Sequence, residues 1–362
     1  IPSSTGYKYQ YQNFGKTSNR GIELSVNVDV INKGDFRFNV GAIYNYNRNK
    51  LDELPNADQY LYSSYWGSSS LVPTNDYMFV EGKAIGLVRG FISEGYYTVD
   101  DFNYTNGQYV LKEGVPDITK ALTATYMHPY DLPAGQTAFP GAAKFRDVDE
   151  SGTVDLDDAT CLGEVMPRHT GSFQLNFNYK NFDLSTNFNW TAGGKVYNVA
   201  AMINASGQEF DGIGAQRASW VADAFKVYNV NAAGDLYAVT NPDELRALNA
   251  NAKYHLPYHQ SGITSSEWLE NGSYLRLQTL TLGYTLPKNW LTKVHVDKIR
   301  LYLTATNLFT ITGYSGIDPE VNANPTGQSG FYSDLRIFPT LNMDFGTYPR
   351  ARTFTFGANI TF

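Results

Sequence analysis

The 362-residue chain has few cysteines, few charged residues and no long apolar runs. Its one cysteine, Cys161, cannot form an internal disulfide, and no cysteine spacing typical of a metal site exists, so we expect a small buried side chain. Charged residues make up 17% of the chain, against about 25% in soluble domains. No stretch approaches the roughly 18 apolar residues of a membrane-spanning helix, which excludes that kind of membrane protein.

A basic patch and an N-terminal signal segment are also missing. The net charge of −7 and the pI near 5.3 exclude a nucleic-acid-binding protein, because such proteins carry a basic stripe or patch. The segment Ile1–Ser4 has no charged stretch followed by an apolar one. Since strand-like sequence begins by about Ser18, we expect the chain to be the C-terminal piece of a longer polypeptide.

Aromatic residues are abundant in this otherwise polar chain. Tyrosine, phenylalanine and tryptophan number 27, 21 and 5, which is 15% of the sequence, although the mean hydropathy is −0.35. A transmembrane β-barrel explains both facts, because only alternate residues of its strands face lipid and aromatic girdles flank the lipid-facing band.

Alternation with a period of two supports that class. In Ile22–Val30 the apolar residues share one strand face, and Asn32–Asp35 reads as a tight turn. The same pattern recurs in segments 36–46, 173–179, 184–190, 274–286, 299–309 and 354–362. The final segment also resembles the C-terminal signal of bacterial outer-membrane barrels, with Gly357, Ile360 and Phe362 in the expected places.

The sequence therefore predicts an all-β, antiparallel transmembrane barrel in a bacterial outer membrane. We expect eight to ten strands with short turns between hairpin partners. The remaining connections, residues 51–83, 99–169 and 195–272, are long, as extracellular loops of such barrels are. Within the longest loop, Pro242–Leu248 has helical character, and loops with structure of their own are usually functional.

An acidic segment within residues 140–163 predicts a cation site. It matches a 12-residue calcium loop of EF-hand type, with Gly152 at the sharp turn and Val154 as an inward anchor. Oxygen ligands without nearby histidine or cysteine favour calcium or magnesium, although a solvated acidic turn is the alternative. The expected ligands are Asp147, Asp149, Ser151, the Thr153 carbonyl, Asp155 and Asp158. Because Pro140, Gly141, Gly163 and Pro167 flank the loop, we expect a structural clip rather than a helix-flanked sensor.

Several stretches together resemble the C-terminal part of the SusC/RagA family of TonB-dependent transporters. Their order and spacing fit best across residues 140–362. The stretches are 140–163, the Asn271–Leu277 segment running to Leu282–Pro287, Ala305–Val321, and Tyr348–Arg350 with Arg352–Phe362. The resemblance implies a barrel of about 22 strands, of which residues 1–362 supply the later ones.

The resemblance also implies partners and a transport function. A plug domain and a TonB box are absent from this chain, so the rest of the barrel must come from a longer polypeptide or from a second one. The family works with a SusD-like surface lipoprotein that closes the barrel mouth, and TonB pulls on the plug to import oligosaccharides or peptides. Candidate substrate contacts are Tyr60, Tyr62, Tyr65 and Trp66, although aromatic residues are common in such loops for other reasons.

Two other classes of protein fit the sequence less well. An outer-membrane barrel hydrolase lacks an assembled site: His255 and His259 are separated by Pro257, while His128, His169 and His295 are isolated. A secreted or surface adhesive β-protein with a calcium clip would need more lysine and glutamate on its outward faces.

Arg276, Asp318 and Glu320 would line the lumen, brace a plug or end strands in water, and no specific role is assigned to them.

Overall fold

Seven long antiparallel strands form one curved wall. A computed structural model describes residues 15–55, 58–63, 71–123, 128–206, 218–256, 262–292, 296–321, 342–344 and 346–362. The wall strands are β1 (Lys16–Lys33), β2 (Phe36–Glu53), β3 (His169–Tyr179), β4 (Phe182–Ala192), β5 (Tyr274–Thr285), β6 (Lys298–Thr312) and β7 (Thr353–Thr361). They pair in chain order, β1 to β7. No helix in the described ranges is long and apolar enough to cross a membrane.

The strand count is lower than the sequence suggested. The alternating segments singled out in the sequence all lie in wall strands, but the described wall has seven strands rather than eight to ten. The difference arises between β2 and β3, where the strands Leu87–Gly90 and Ser93–Tyr96 pair with loop partners and do not join the wall. The expected loops 51–83 and 99–169 are therefore one connection.

The outward face of the wall is apolar. One row crosses all seven strands through Val28, Val40, Leu175, Thr186, Leu280, Ala305 and Phe354. Phe38 stacks on Phe177 with ring centroids 4.3 Å apart. Leu24 and Val26 are more than half exposed, so within the described residues nothing covers the β1 part of this face.

The opposite face is polar and hydrogen-bonded across strands. The Asn39 amide donates to the Asn27 and Asp29 side chains over 2.8 and 2.9 Å, and the Ser185 hydroxyl donates to Asn176 over 2.7 Å. Thr281 and Thr304 join their hydroxyls at 3.0 Å. These pairs satisfy polar groups on the face that a barrel turns toward its lumen.

Glycine lets large side chains lie flat on this polar face. At Gly283 a Cβ would collide with the ion pair of Asp183 and Arg300, which crosses over it. At Gly357 a Cβ would collide with the ring of Tyr302. The glycine that the sequence associated with an assembly signal therefore also has a packing reason.

All the long connections leave the wall at one end. The hairpin turns 34–35, 180–181 and 286–297 lie at the other end, where backbone bonds link Lys180 to Asp35 and Asp297 to Thr361. The described parts of the connections 54–168, 193–273 and 313–352 pack together into a loop body. This is the predicted asymmetry of short turns and long loops.

The described part of the loop body has two large apolar cores and a small third cluster of Val196, Tyr314 and Val321. The outer core includes Phe91, Tyr97, Tyr109, Phe139, Phe145, Val154, Phe225 and Leu245. The wall-side core includes Tyr62, Tyr77, Val165, Tyr197, Met202, Trp220, Trp268 and Met343. Since both cores draw on more than one connection, the loops stabilise one another.

Short elements build the loop body. Its strands are Gln59–Tyr62, Leu71–Val72, Tyr77–Val80, Leu87–Gly90, Ser93–Tyr96, Phe102–Thr105, Gln108–Leu111, Asp117–Ile118, Ala143–Phe145, Thr153–Val154, Thr160–Glu164, Lys195–Asn198, Tyr228–Val230, Leu236–Ala238, Gly262–Ile263, Leu269–Asn271 and Met343–Asp344. Single 3₁₀ turns span Val99–Asp101, Leu156–Asp158 and Ser266–Trp268.

Among the described residues, four α-helices lie in the loop body and one lies in a turn. They are α1 (Lys120–Thr123), α2 (Val199–Ser206), α3 (Ala218–Asp223), α4 (Pro242–Leu248) and α5 (Lys288–Leu291), of which α5 is in the β5–β6 turn. The predicted helical segment is confirmed as α4, and Asn241 caps it by accepting from the Asp243 and Glu244 amides. Cys161 is exposed rather than buried, because its strand, Thr160–Glu164, is bulged and pairs on one side only.

Candidate functional site

Two rows of aromatic residues bound the outward apolar band. The lower aromatic row, at the short-turn end, consists of the cross-strand neighbours Phe36, Tyr179, Phe182 and Tyr284. The upper aromatic row consists of Tyr44, Tyr46, His169 and Trp190, in which the Tyr44 hydroxyl and His169 Nδ1 lie 2.8 Å apart. Aromatic girdles at both interfaces are typical of membrane barrels.

The spacing of the two rows fits a bilayer. Phe36 and Tyr46 are ten residues apart on β2, which is about 34 Å along an antiparallel strand. At the 35–45° tilt of barrel strands this becomes a height of about 24–28 Å, and the apolar band of outer-membrane barrels is about 25 Å tall. The wall therefore has the dimensions of a membrane span, and the loop body lies beyond it.

The acidic loop brings three predicted ligands together. Carboxylate oxygens of Asp147, Asp149 and Asp158 all lie within 4.8 Å of one another. Asp147 accepts from the Ser151 and Gly152 amides at 3.1 and 2.7 Å, which closes the turn that the left-handed Gly152 allows. Hydrogen bonds from the Ser151 hydroxyl and amide lower the pKa of Asp149, so its carboxylate stays charged.

The other predicted ligands take different positions. Asp155 lies outside this group of three and instead caps the following 3₁₀ turn, accepting from the Asp157 amide at 2.8 Å. Ser151 Oγ also lies 3.0 Å from the Thr153 carbonyl oxygen, a second acceptor for the same proton. Asp158 is 1% exposed and already accepts the amides of Val148, Asp149 and Asp155.

The loop is tied to the outer core. Val154 is fully buried there, as the sequence predicted for the inward anchor. Thr153–Val154 pairs in parallel with Asp117–Ile118, and Asp117 accepts the Ile118, Thr137 and Ala138 amides. No α-helix directly flanks the acidic loop, because Ala143–Phe145 precedes it and Thr160–Glu164 follows its 3₁₀ turn.

The four candidate substrate contacts differ in where the structure places them. Tyr60 is 38% exposed on the strand Gln59–Tyr62. Tyr62 is 3% exposed, because its ring packs against Phe79 and Tyr77 in the wall-side core. Tyr65 and Trp66 lie outside the described residues. Of the two contacts that the structure describes, Tyr60 is the one placed where a ligand would reach the ring without rearrangement.

Sequence reasoning assigned no role to a buried ion cluster. Arg276, 2% exposed on the polar face of β5, donates to Asp318 at 2.5 Å, Glu320 at 2.9 Å and Thr310 Oγ1 at 3.0 Å. Glu320 also pairs with Arg350. Because residues 318–320 and 350 belong to the two arms of the 313–352 connection, the cluster fixes both arms to the wall. The sequence signal for this cluster was the Asp318-Pro319-Glu320 segment, but the fold was needed to show that Arg276 is its partner.

A histidine and a glutamate meet inside the loop body. His255 Nε2 lies 3.7 Å from Glu267 and its ring contacts Trp220 edge-on. Burial lowers the pKa of His255 to about 4 and raises the pKa of Glu267 to about 7. Both groups are therefore mainly neutral in mildly acidic solution. Pro257 and His259, the rest of the predicted histidine pair, lie outside the described residues, as does His295.

No family model matches the chain, but comparison with known proteins finds relatives that align along its whole length. The chain is 29% identical over its whole length to TonB-dependent receptor P3 of Formosa agariphila, of which it covers 30%, and 24% identical to TonB-dependent receptor SusC of Bacteroides thetaiotaomicron, of which it covers 28%. It superposes along its whole length on 31% of a chain in the structure of the RagAB peptide transporter, with a TM-score of 0.63 and 20% identity.

The chain thus spans about 30% of the length of the curated relatives it matches. The similarity runs along the entire chain, wall and loop body alike, and the solved structure shares its fold. With the membrane-sized outward band, these relationships show that the chain is similar along its whole length to the barrel part of SusC/RagA-type TonB-dependent receptors of the bacterial outer membrane.

Proposed function

We propose that this chain forms barrel wall and extracellular loops of an active importer that takes oligosaccharides or peptides across the outer membrane. The observation that carries the proposal is a wall with an apolar outward band about 25 Å tall, a polar inward face and a packed loop body at one end only. A relative named as a TonB-dependent receptor and a structural neighbour named as a peptide transporter support it.

The mechanism follows from the two faces of the wall. The outward face keeps the wall in lipid, while the inward face gives hydrated cargo or a plug hydrogen-bonding groups to slide past. The remainder of the barrel would pair with the free edges of β1 and β7, since an unpaired edge in lipid is not viable. A plug engaged by TonB would supply the force, and a SusD-like lipoprotein on the loop body would hold the substrate.

An uptake assay tests this function. Cells that lack the full-length protein are complemented with it and supplied with labelled oligosaccharides and labelled peptides in turn. We expect uptake of one class to return and to stop when the proton-motive force is collapsed, because TonB draws on that force. Surface hydrolysis of the substrate without energy-dependent uptake would favour a barrel hydrolase instead.

The adhesive alternative fits the wall poorly. A soluble β-protein would have to cover the apolar face of β1, and in the described part of the chain Leu24 and Val26 on this face are more than half exposed. A third outcome of the uptake assay would indicate a protein that binds a surface through its loops while remaining in the membrane. It would bind substrate in cells without accumulating it.

We also propose that residues 147–158 hold calcium, or magnesium, as a clip on the loop body. The donor set fits a hard cation, because the three clustered ligands are carboxylates. Asp155 would act through water, as ligands at this position of such loops often do. The bound ion would offset the mutual repulsion of the carboxylates and so hold the Thr153–Val154 strand on Asp117–Ile118.

Calcium titration of the full-length protein, stripped with chelator, tests the clip. We expect binding to a single site in this loop that Asp147→Asn weakens at least tenfold. The matched control is Asp157→Asn, which removes the same charge from an exposed neighbour outside the carboxylate group. Equal effects of the two substitutions would contradict a coordinated ion, and tighter binding of magnesium than calcium would reassign the metal.

A further inference from the structure

The short-turn end of the wall carries unpaired lysines beside its aromatic row. Lys33 lies opposite Phe36, and Lys180 Nζ lies 5.5 Å from the centre of the Tyr179 ring. Lys288 begins α5, whose Leu291 is buried while Trp290 is 62% exposed. We call Lys33, Lys180 and Lys288 the basic rim. All three are exposed, and none forms an ion pair among the residues that the structure describes.

The charge of this end is opposite to that of the rest of the chain. The segments 29–39, 176–187 and 283–302 contain seven lysines and arginines and four aspartates, a net charge of +3. The whole chain carries −7, so the remainder carries −10. The acids of this end include Asp183, already paired with Arg300, and the turn residues Asp35 and Asp297.

We propose that the basic rim binds the headgroups of anionic phospholipids in the periplasmic leaflet. The lower aromatic row lies at the level where aromatic rings meet headgroups. The lysines lie beside or just beyond that row, at the depth of the lipid phosphates. Each lysine near an anionic surface strengthens attachment, and long side chains reach the interface from the strand ends.

The position of the rim determines which lipid it meets. Short turns of outer-membrane barrels face the periplasm. The rim therefore fixes the depth of the wall from below and resists axial force during TonB-driven transport. The binding proposal itself rests on the outer-membrane location and not on the transport proposed above, so failed uptake would leave it standing.

Native mass spectrometry of the full-length protein tests the rim. Protein extracted into mild detergent is offered equal phosphatidylglycerol and phosphatidylcholine, and retained copies are counted. We expect the wild type to prefer phosphatidylglycerol. In the triple variant K33Q/K180Q/K288Q this preference should fall at least about fivefold, which is the effect of one lysine near an anionic surface. Excess inorganic phosphate should not displace the lipid, because the acyl chains contribute to binding.

The control removes the same charge from the loop body. K83Q/K112Q/K226Q replaces three exposed lysines at the other end of the wall and should keep the preference. The triple K33R/K180R/K288R should also keep it, which separates charge from folding. Equal retention of both lipids by the wild type, or equal losses in the two glutamine triples, would overturn the proposal.

Discussion

At the scale of single residues, the least expected finding is a fully buried arginine on the wall. Arg276 is held by Asp318 and Glu320, and Glu320 passes the interaction on to Arg350. A buried ion pair adds little net stability compared with well-packed apolar side chains, but removal of one partner leaves the other charge buried and unpaired. The cluster therefore specifies where the 313–352 connection meets the wall.

Arg276→Met tests this role. We expect a loss of about 3–5 kcal/mol, because Asp318 would remain buried without its guanidinium partner. The measurement is the midpoint of guanidinium unfolding of the full-length protein in detergent. Arg168→Met is the matched control: it breaks the Arg168–Glu164 pair, whose arginine is 44% exposed, and should cost at most about 1 kcal/mol. Similar shifts for both variants would refute the assignment.

The His255–Glu267 pair makes stability depend on pH in a defined way. Between pH 4.5 and 6.5 the folded pair holds one proton on Glu267 and the unfolded pair holds one on His255, so the slopes cancel. In His255→Gln only Glu267 titrates, with its folded pKa raised above the unfolded value. We therefore expect the stability of this variant to fall as pH rises from about 4.5 to 7.

Hydrogen exchange of the peptide spanning 262–271 measures this dependence locally. Protection, corrected for the intrinsic rate at each pH, should decline with pH in His255→Gln and stay flat in the wild type. The double variant His255→Gln/Glu267→Gln is the control, since it has no group to titrate and should also be flat. A flat profile in the single variant would contradict the raised pKa of Glu267.

At the scale of elements, the alternation in the sequence was enough to predict the wall. Ile22–Val30 and Phe354–Phe362 were recognisable because one face must be apolar and the other polar in a membrane barrel. The segment of α4 was recognisable from its local helical character. The strand Leu87–Gly90 was not recognisable, because a strand of four residues is too short to show an alternating pattern. Its pairing partners also lie in other parts of the loops. Tyr62 and Cys161 show the same limit, since their exposure depends on nonlocal packing.

The two faces of β1 offer a direct test of its orientation. Val26 lies on the outward face opposite Ala42, and its neighbour Asn27 lies on the inward face beside Asn39. We expect Val26→Arg to destabilise the barrel by about 2–4 kcal/mol, the cost of arginine facing lipid near mid-depth. Asn27→Arg adds the same charge one residue away, on the polar face, and should cost much less. Heat-modifiable gel mobility reports the folded fraction of each.

At the scale of the whole molecule, the described strands form an open sheet with two free edges. β1 and β7 each pair on one side only. In lipid every backbone donor and acceptor must be satisfied, so under the proposed function we expect further strands of a closed barrel to pair with these edges. The loop body gathers the long connections over one end of the sheet, where a surface lipoprotein and substrate would meet.

The most direct test of this account is a cryo-electron microscopy structure of the protein extracted from its native membrane in mild detergent. The account predicts that β1 and β7 each pair with an additional strand and that the detergent belt spans the distance between the two aromatic rows. It also predicts a lipoprotein seated on the loop body. A soluble particle in which a second protein layer covers Leu24, Val26 and their neighbours would contradict it.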